Sequence, residues 1–275
     1  MSKDTDMTAD EELSKMTLLD HLTELRNRIG IVLLAFLVIF LASFIRPFGS
    51  GTMNAADWVY FQLQAPLADL LLQNGGRMIF TGLHEGFFTQ VKVAFFISIS
   101  ITFPIILLQI WRFVAPALYR NEKGAFLPFL IATPLLFALG ASMVYLVAPL
   151  AFDFFLSFQM SGIDGALPIE VEPRISEYLS LMMRLMFAFG VSFELPVILL
   201  LLVKAGFITP DGMARQRKYA ILLAFVAAAI LTPPDVISQI LLALPVIALY
   251  EISIITARFL VRPSQKDADE WSDAD

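Results

Sequence analysis

Cysteine is absent from the 275 residues, and histidine occurs only at positions 21 and 84. Without cysteine the chain has no disulfide bond, no thiolate metal site and no cysteine nucleophile. Both histidines lie outside the long apolar runs, which excludes an intramembrane haem with two histidine ligands and an intramembrane serine–histidine dyad. A glycine-rich phosphate-binding loop is also missing. The sequence therefore indicates a protein that is not an enzyme and that needs no metal or cofactor.

Charged residues are scarce as well, at 16% of the chain, whereas 58% of the residues are hydrophobic and the mean hydropathy is +0.75. An average soluble domain has about 25% charged and 45–50% apolar residues. A soluble fold of this composition would expose too much apolar surface. Strict alternation of apolar and polar residues is missing, which disfavours a β-barrel. The composition predicts an all-α integral membrane protein in contact with the lipid bilayer.

The formal net charge of -6 is concentrated at the two ends of the chain, because ten of the 25 acidic residues lie in residues 1–15 and 264–275. Polar, acidic segments of this kind are typical of disordered, solvated tails. We predict disordered tails at 1–16 and 263–275 on either side of a single membrane domain, 17–262. The domain itself is close to neutral, and we expect no nucleic-acid partner.

The apolar runs predict six transmembrane helices, since a bilayer core of ~30 Å requires about 20 helical residues. The predicted spans are about 29–45, 86–114, 124–158, 175–203, 219–231 and 236–257. Only Thr232-Pro233-Pro234-Asp235 separates the last two spans, and such residues favour a tight turn. The charge-free runs on either side of this turn are shorter than a full span. We therefore expect spans 5 and 6 to be short.

Lysine and arginine residues lie mainly on one predicted side of the membrane. They precede span 1, follow span 6, and fill the connections between spans 2 and 3 and between spans 4 and 5. The connections on the other side carry few bases. The positive-inside rule then places both termini in the cytoplasm.

Glu194 is the most unusual single residue, because it lies inside the predicted fourth span, two residues before Pro196. A carboxylate at this depth is expensive and normally faces protein or a water-filled cavity. It is either a protonated, hydrogen-bonded structural glutamate or a functional polar site in a concave face. Other charges near span ends form three pairs seven residues apart, which we expect to snorkel to the interface. These pairs are Glu85 with Lys92, Glu177 with Arg184, and Glu251 with Arg258.

Two acidic residues stand out among the predicted cytoplasmic bases. Glu24 lies in the segment Thr17–Arg28, whose apolar residues recur at helical spacing and predict a short amphipathic helix at the membrane surface. Glu122 lies in the short connection between spans 2 and 3. Each is either a surface ion pair or a ligand for a cationic partner. Two neighbouring carboxylates could hold a pair of arginines and reject lysines, because a guanidinium binds a carboxylate bidentately.

Four segments, in order along most of the chain, resemble the TatC family, the membrane receptor of the twin-arginine protein translocase. The segment His-Leu-Thr-Glu-Leu-Arg-Asn-Arg at 21–28 is similar to that family's N-terminal signature. Residues 104–122, beginning at Pro104, resemble its second-span exit and first cytoplasmic loop. Residues 189–197 and 231–239 resemble its fourth span and its 5–6 turn, and Pro66 is matched to its external proline.

The resemblance implies a receptor in the bacterial cytoplasmic (inner) membrane that exports folded proteins carrying paired-arginine signal peptides. Glu24 and Glu122 would hold the arginine pair, with Arg26 and Phe113 supporting them and His21 and Leu25 in the same surface. The signal's apolar part would lie along the concave face of a glove-like bundle. The Pro233-Pro234-Asp235 turn, Pro104 and Pro66 would be structural.

The same resemblance implies the partners and the energy source. The family works with the single-span proteins TatA and TatB and with further copies of itself, and the proton-motive force drives transport. Glu194, with Pro196, would contact a polar residue of a partner's transmembrane helix or hold water. From the residues alone, two other classes stay open. One is a proton- or ion-coupled small-molecule transporter that uses Glu194, and the other is a structural membrane scaffold.

Overall fold

The computed structural model describes residues 3–46, 52–73, 76–118, 127–159, 171–232 and 235–260, with side chains from residue 22 onward except those of 73, 111–118, 127–131 and 260. In this part of the chain the regular structure is entirely helical, apart from an isolated parallel bridge between Ile79 and Arg174. The helices are α1 (Lys3–Ala42), α2 (Ala55–Gln73), α3 (Glu85–Leu118), α4 (Leu127–Leu156), α5 (Ile175–Phe193), α6 (Leu195–Lys204), α7 (Pro210–Arg215), α8 (Arg217–Leu231) and α9 (Val236–Leu260). The all-α prediction is confirmed.

Five helical segments of the described chain are long and apolar enough to cross a bilayer. They are Leu22–Ala42, Glu85–Ile110, Ala132–Leu156, Ile175–Lys204 and Val236–Phe259. Each overlaps a predicted span. Helix α8 coincides with the predicted fifth span, but its 15 residues extend only about 22 Å at 1.5 Å per residue. Whether α8 also crosses the membrane, which would make six crossings, therefore stays a prediction.

Helix α9 is longer than the sequence predicted. It has 25 residues, so the expectation of a short last span is wrong. The prediction of shortness rested on the charge-free run, which ends at Tyr250, although the predicted span itself continued to residue 257. In the structure Arg217 of α8 donates from Nε to Oε1 of Glu251 at 2.7 Å. Because the carboxylate has a partner at the helix surface, it does not end the helix.

Helix α1 begins at Lys3, so helical backbone reaches into the segment for which we predicted a disordered tail, and the helix does not start at a Thr17 cap. Residues 9–16 contain alanine, glutamate, leucine, lysine and methionine, all of which are strong helix formers. Acidic residues in the first turns also interact favourably with the helix dipole. The second predicted tail, 263–275, lies outside the described residues.

Helix α2 lies in a connection that the sequence analysis treated as a loop. Its start was visible in the sequence as an asparagine cap, since the Asn54 Oδ1 atom accepts from the Asp57 N–H at 2.7 Å. Leu63, Leu67 and Leu71, spaced four apart, are buried along one side of the helix. Pro66 is therefore not in a loop but inside α2.

The chain divides into two compact units, residues 1–59 with 91–123 and residues 60–90 with 124–275. In the second unit α4 and α5 approach closely at two glycines. A Cβ atom on Gly140 would lie 2.5 Å from the carbonyl oxygen of Phe189, and one on Gly190 would lie 2.6 Å from the Phe137 ring. Small residues let membrane helices pack at short distance. These glycines therefore define the contact next to which Glu194 lies.

Candidate functional site

Glu24 lies on α1 and forms an ion pair within the first unit. Its side chain is 44% exposed, whereas that of Arg28, one turn later, is 18% exposed. The Nε atom of Arg28 donates to Oε1 of Glu24 at 3.1 Å, and Nη2 donates to the same oxygen. The Glu24 carboxylate therefore already accepts a guanidinium in this structure.

The same arginine connects α1 to α3. Its Nη1 atom donates to Oε1 of Gln109 at 3.3 Å. Gln109 lies one helical turn before Phe113 on α3, and the Phe113 side chain is outside the described part of the chain. Arg28 thus holds the carboxylate-bearing end of α1 beside the stretch of α3 that precedes Phe113.

The structure describes only some of the other residues that were predicted to bind the signal peptide. Leu25 is 37% exposed. Arg26 is also exposed, and its Nη2 atom donates to Oδ1 of Asn27 at 3.4 Å. The His21 side chain and the whole of Glu122 lie outside the described residues. Glu24, Leu25 and Arg26 thus lie in α1 at the start of its apolar segment Leu22–Ala42, and the meeting of the two carboxylates stays a prediction.

Glu194 occupies a break in the helical backbone of the fourth predicted span. Helix α5 ends at Phe193 and α6 begins at Leu195, with Pro196 in the first turn. The Glu194 N–H donates to the Val191 carbonyl at 3.1 Å, which tightens this turn. Because proline lacks an N–H and clashes with the preceding turn, Pro196 accounts for the break that the sequence indicated.

The Glu194 side chain is fully buried, at 0% exposure. Neither carboxylate oxygen has a hydrogen-bond partner within the described part of the chain. The buried hydroxyl of Thr133 on α4 is its polar neighbour, but the two groups fall short of hydrogen-bond geometry. A buried, unpartnered polar group costs folding free energy. The structure therefore does not provide the intramolecular hydrogen bond that a purely structural glutamate would need.

Pro66 frees a backbone carbonyl, and a tyrosine of another helix uses it. A proline has no N–H to donate to the carbonyl four residues earlier, which here belongs to Gln62. The Tyr145 hydroxyl of α4 donates to that oxygen at 3.3 Å. One residue on, the Tyr178 hydroxyl of α5 donates to the Leu63 carbonyl at 2.9 Å. Sequence analysis missed both tyrosines, because carbonyl partners so distant in sequence leave no local signal.

Both tyrosines act on α2 through its backbone. Their hydroxyls donate to the carbonyls of two consecutive residues, Gln62 and Leu63, in the turn that precedes Pro66. Tyr145 belongs to α4 and Tyr178 to α5. The tyrosines therefore fix the position of α2 on α4 and α5.

We expect Tyr178→Phe to loosen α2 from the membrane helices. The change removes the hydrogen bond from the hydroxyl to the Leu63 carbonyl, and leaving a buried polar group unpaired costs about 1–3 kcal/mol. The purified protein should lose several degrees of melting temperature, and limited proteolysis should cut α2 faster. Tyr219→Phe, at an exposed tyrosine of α8, is the matched control. Equal proteolysis rates in the two variants would contradict this assignment.

A second set of contacts involves the segment before α5. Arg174 forms ion pairs with Glu85 at the start of α3 and with Glu177, the latter at 2.8 Å. The hydrogen bond that Arg174 donates to the Glu85 carboxylate raises the pKa of Arg174 above its ordinary value. Arg77 donates from Nε to Oε1 of Glu172 at 3.0 Å. The seven-residue spacings in the sequence did not predict these partners, which come from distant segments.

The remaining predicted structural residues lie at helix positions that explain them. Pro104 lies inside α3. Asp235 caps α9, since its Oδ1 atom accepts from the Ser238 N–H at 2.7 Å. Pro233 and Pro234 are outside the described residues. The predicted turn therefore begins and ends where expected, after Leu231 and before Val236.

Comparison with known proteins shows to which protein family this sequence and fold belong. The family described as "Sec-independent protein translocase protein (TatC)" matches residues 20–245. The chain belongs to the TatC family. A TatC protein of Magnetococcus marinus is 45% identical over 259 residues, which cover 93% of this chain and 90% of that protein. The TatC protein of Escherichia coli K12 is 40% identical and covers 89% of each chain.

Solved TatC structures agree with the fold. A crystal structure of the twin-arginine translocase receptor TatC matches with a TM-score of 0.72 and 38% identity, covering 88% of this chain and 100% of that one. A second TatC crystal structure, in DDM, matches with a TM-score of 0.73 and covers 86% of this chain. This chain is therefore a multi-pass membrane protein and a TatC component of a twin-arginine protein translocase.

Proposed function

We propose that this TatC protein binds the paired arginines of signal peptides at the cytoplasmic end of α1 and takes part in exporting the attached folded proteins. The observation that carries the proposal is the Glu24 carboxylate, which is half exposed and bound to the guanidinium of Arg28. A site that already accepts one guanidinium has the geometry to accept another.

Binding then takes the form of an exchange. An arginine of the signal displaces Arg28 from Glu24, or shares the carboxylate through its second oxygen, while Arg28 keeps its bond to Gln109. Glu122 takes the second arginine. The remaining predicted residues, Arg26, Phe113, Leu25 and His21, line the same surface. Because the new pair replaces an old one, the net gain depends on bidentate geometry, which guanidinium has and ammonium lacks.

The test is binding of labelled signal peptides to the purified full-length protein in lipid nanodiscs. A paired-arginine peptide should bind at least tenfold more tightly than a peptide with two lysines at the same positions. This factor corresponds to about 1.4 kcal/mol, within the range of one charge-assisted hydrogen bond. Equal affinity for the two peptides at low and at physiological salt would contradict the proposal.

The membrane arrangement proposed with this function has six spans, both termini in the cytoplasm and a glove-like concave bundle. The positions of lysine and arginine support the orientation. Helix α8 is the fifth span in chain order, and with it the number of spans is six. As a short helix of 15 residues it requires a locally thinned bilayer, because helices shorter than the hydrocarbon core thin it. The membrane is the bacterial cytoplasmic membrane.

Glu194 serves the proposed translocase as its intramembrane contact. Because the carboxyl group is fully buried, a polar group on the transmembrane helix of TatA or TatB, or water, reaches it only after the side chains around it move. Further copies of this chain complete the complex, and the proton-motive force drives transport. In this scheme Glu24 and Glu194 have separate tasks, signal binding and partner assembly.

The transporter alternative has one supporting observation, the helix break at Glu194, since broken helices line the sites of many secondary transporters. Pro196 accounts for this break without a substrate. Uptake of a small solute by the protein in liposomes, abolished by Glu194→Gln, is the result that would favour the transporter.

A further inference from the structure

Arg184 is a cation inside a membrane-spanning segment, and it has no acidic partner among the residues that the structure describes. Of the residues from 175 to 204, only Glu177 and Arg184 are exposed, and the rest are buried or half-buried. The Arg184 Nε atom donates to the Ser180 backbone carbonyl at 3.1 Å. No acidic side chain of the described residues forms an ion pair with it. A charged residue in a membrane span normally pairs or faces water.

Glu177 does not neutralise Arg184, although the two lie on the same side of α5. They are seven residues apart, which is a rise of about 10 Å. Glu177 is also already engaged by Arg174, from Nη1 to Oε1 at 2.8 Å. Among the described residues the guanidinium of Arg184 therefore has no acidic partner, and it can accept an anion from outside the chain.

The depth of Arg184 indicates which anion can reach it. The span Ile175–Lys204 has 30 residues, about 45 Å of helix, around a hydrocarbon core of ~30 Å. If the core is centred on this span, the Arg184 backbone lies about 7 Å below the boundary nearer Ile175. An arginine side chain that extends toward that end can bring its guanidinium to about the hydrocarbon boundary, where a phosphate drawn slightly inward can meet it.

The side chain does extend in that direction. The bond to Ser180, one turn closer to the N-terminus of α5, directs the guanidinium toward the nearer headgroup layer. A partner's transmembrane helix fits less well, because such helices pack through small and apolar residues. The only exposed residues on this part of α5 are two charged ones.

We propose that Arg184 binds the phosphate group of a phospholipid in the leaflet at the N-terminal end of α5. In the orientation proposed above this is the external leaflet. A guanidinium binds phosphate bidentately, and the bond draws the headgroup inward and thins the bilayer beside α5. The site is independent of the signal-peptide site, since it lies in the other compact unit of the chain.

The experiment compares lipids with and without phosphate. The full-length protein, purified in maltoside detergent, is titrated with phosphatidylglycerol, with phosphatidylcholine and with a phosphate-free galactolipid, and its melting temperature is recorded. Both phospholipids should stabilise the wild type more than the galactolipid does. In Arg184→Leu this difference should disappear, and native mass spectrometry should show about one fewer retained phospholipid per chain, corresponding to one bidentate site.

Two further variants sharpen the comparison. Arg184→Lys keeps the charge but loses the paired N–H donors that bind phosphate bidentately, so it should retain a reduced preference for phospholipid. Arg77→Gln removes an arginine from an exposed ion pair outside the spans, and its lipid preference should equal that of the wild type. An undiminished preference in Arg184→Leu overturns the proposal. So does an Arg184→Leu protein that retains its phospholipid but no longer co-purifies with single-span partners.

Discussion

Glu24→Gln should lower the affinity of the purified protein for a paired-arginine signal peptide by roughly ten- to a hundredfold, the equivalent of one charged hydrogen bond. The change removes the charge and keeps the shape of the side chain. It also leaves the Arg28 guanidinium, which is only 18% exposed, without its carboxylate. The freed cation then repels the cationic signal, which adds to the loss.

Because Glu24 pairs with Arg28, variants of both residues can distinguish a structural role of Glu24 from a role in signal binding. If Glu24 only neutralises Arg28, the double change Glu24→Gln with Arg28→Gln should restore binding. If Glu24 binds the signal, the double variant should stay as weak as Glu24→Gln, and Arg28→Gln alone should bind at least as tightly as the wild type. Such a cycle isolates the pairwise contribution. Peptide affinity and crosslinking in membranes are the measurements.

The matched control is Glu172→Gln, which removes a carboxylate from another exposed ion pair, that with Arg77. It should leave signal binding unchanged. Glu122→Gln should weaken binding as Glu24→Gln does, and the two together should abolish export. Wild-type crosslinking and export in the Glu24 and Glu122 double variant would contradict the carboxylate assignment.

Glu194→Leu should stabilise the isolated protein and abolish export. The two carboxylate oxygens are buried without partners, and replacing such a group by an apolar side chain removes a penalty of about 1–3 kcal/mol. The melting temperature of the purified protein should therefore rise by several degrees. Co-purification of the single-span partners and export should both be lost, because the polar contact no longer exists. Stability gained at the expense of function is typical of functional sites.

Glu194→Gln separates the charge from the polarity of this group. A partner held by a hydrogen bond to a neutral carboxyl group should tolerate glutamine, whereas a partner or water held by a carboxylate should not. Ser192→Ala, two residues away on the same helix, is the control and should behave as the wild type. Signal-peptide binding should be normal in all three variants. A weaker signal affinity in Glu194→Leu at wild-type protein level would contradict the division of tasks between Glu194 and Glu24.

Local features explain why much of this molecule could be predicted. The apolar runs are continuous in sequence, and a membrane span requires a minimum length, so each of the five observed segments overlaps a predicted span, with ends that differ by at most eight residues. The turn before α9 follows from Thr232 and Asp235, which act on their own backbone neighbours. The break beside Glu194 follows from Pro196 in the same way, since a proline affects the carbonyl one turn earlier.

The features that were predicted wrongly depend on contacts between residues that are distant in the sequence. The last span was predicted short because Glu251 has a charge, yet its partner Arg217 lies on the preceding helix. Helix α2 was treated as part of a loop, although its cap at Asn54 was visible in the sequence. The carbonyl that Pro66 frees accepts from Tyr145, whose position relative to α2 only the packing of α4 decides.

The sequence by itself determined the membrane class and the approximate positions of the apolar segments, because hydrophobic length and local backbone chemistry act over one or two helical turns. Only the tertiary structure decided which charges pair between helices. It joins Arg174 to Glu85 and Arg217 to Glu251, whereas the pair of Glu24 and Arg28 follows from their spacing on one helix. Glu194 and Arg184 receive no partner of opposite charge from the described chain. Ion pairing depends on distances between helices, which are set by close contacts such as those at Gly140 and Gly190.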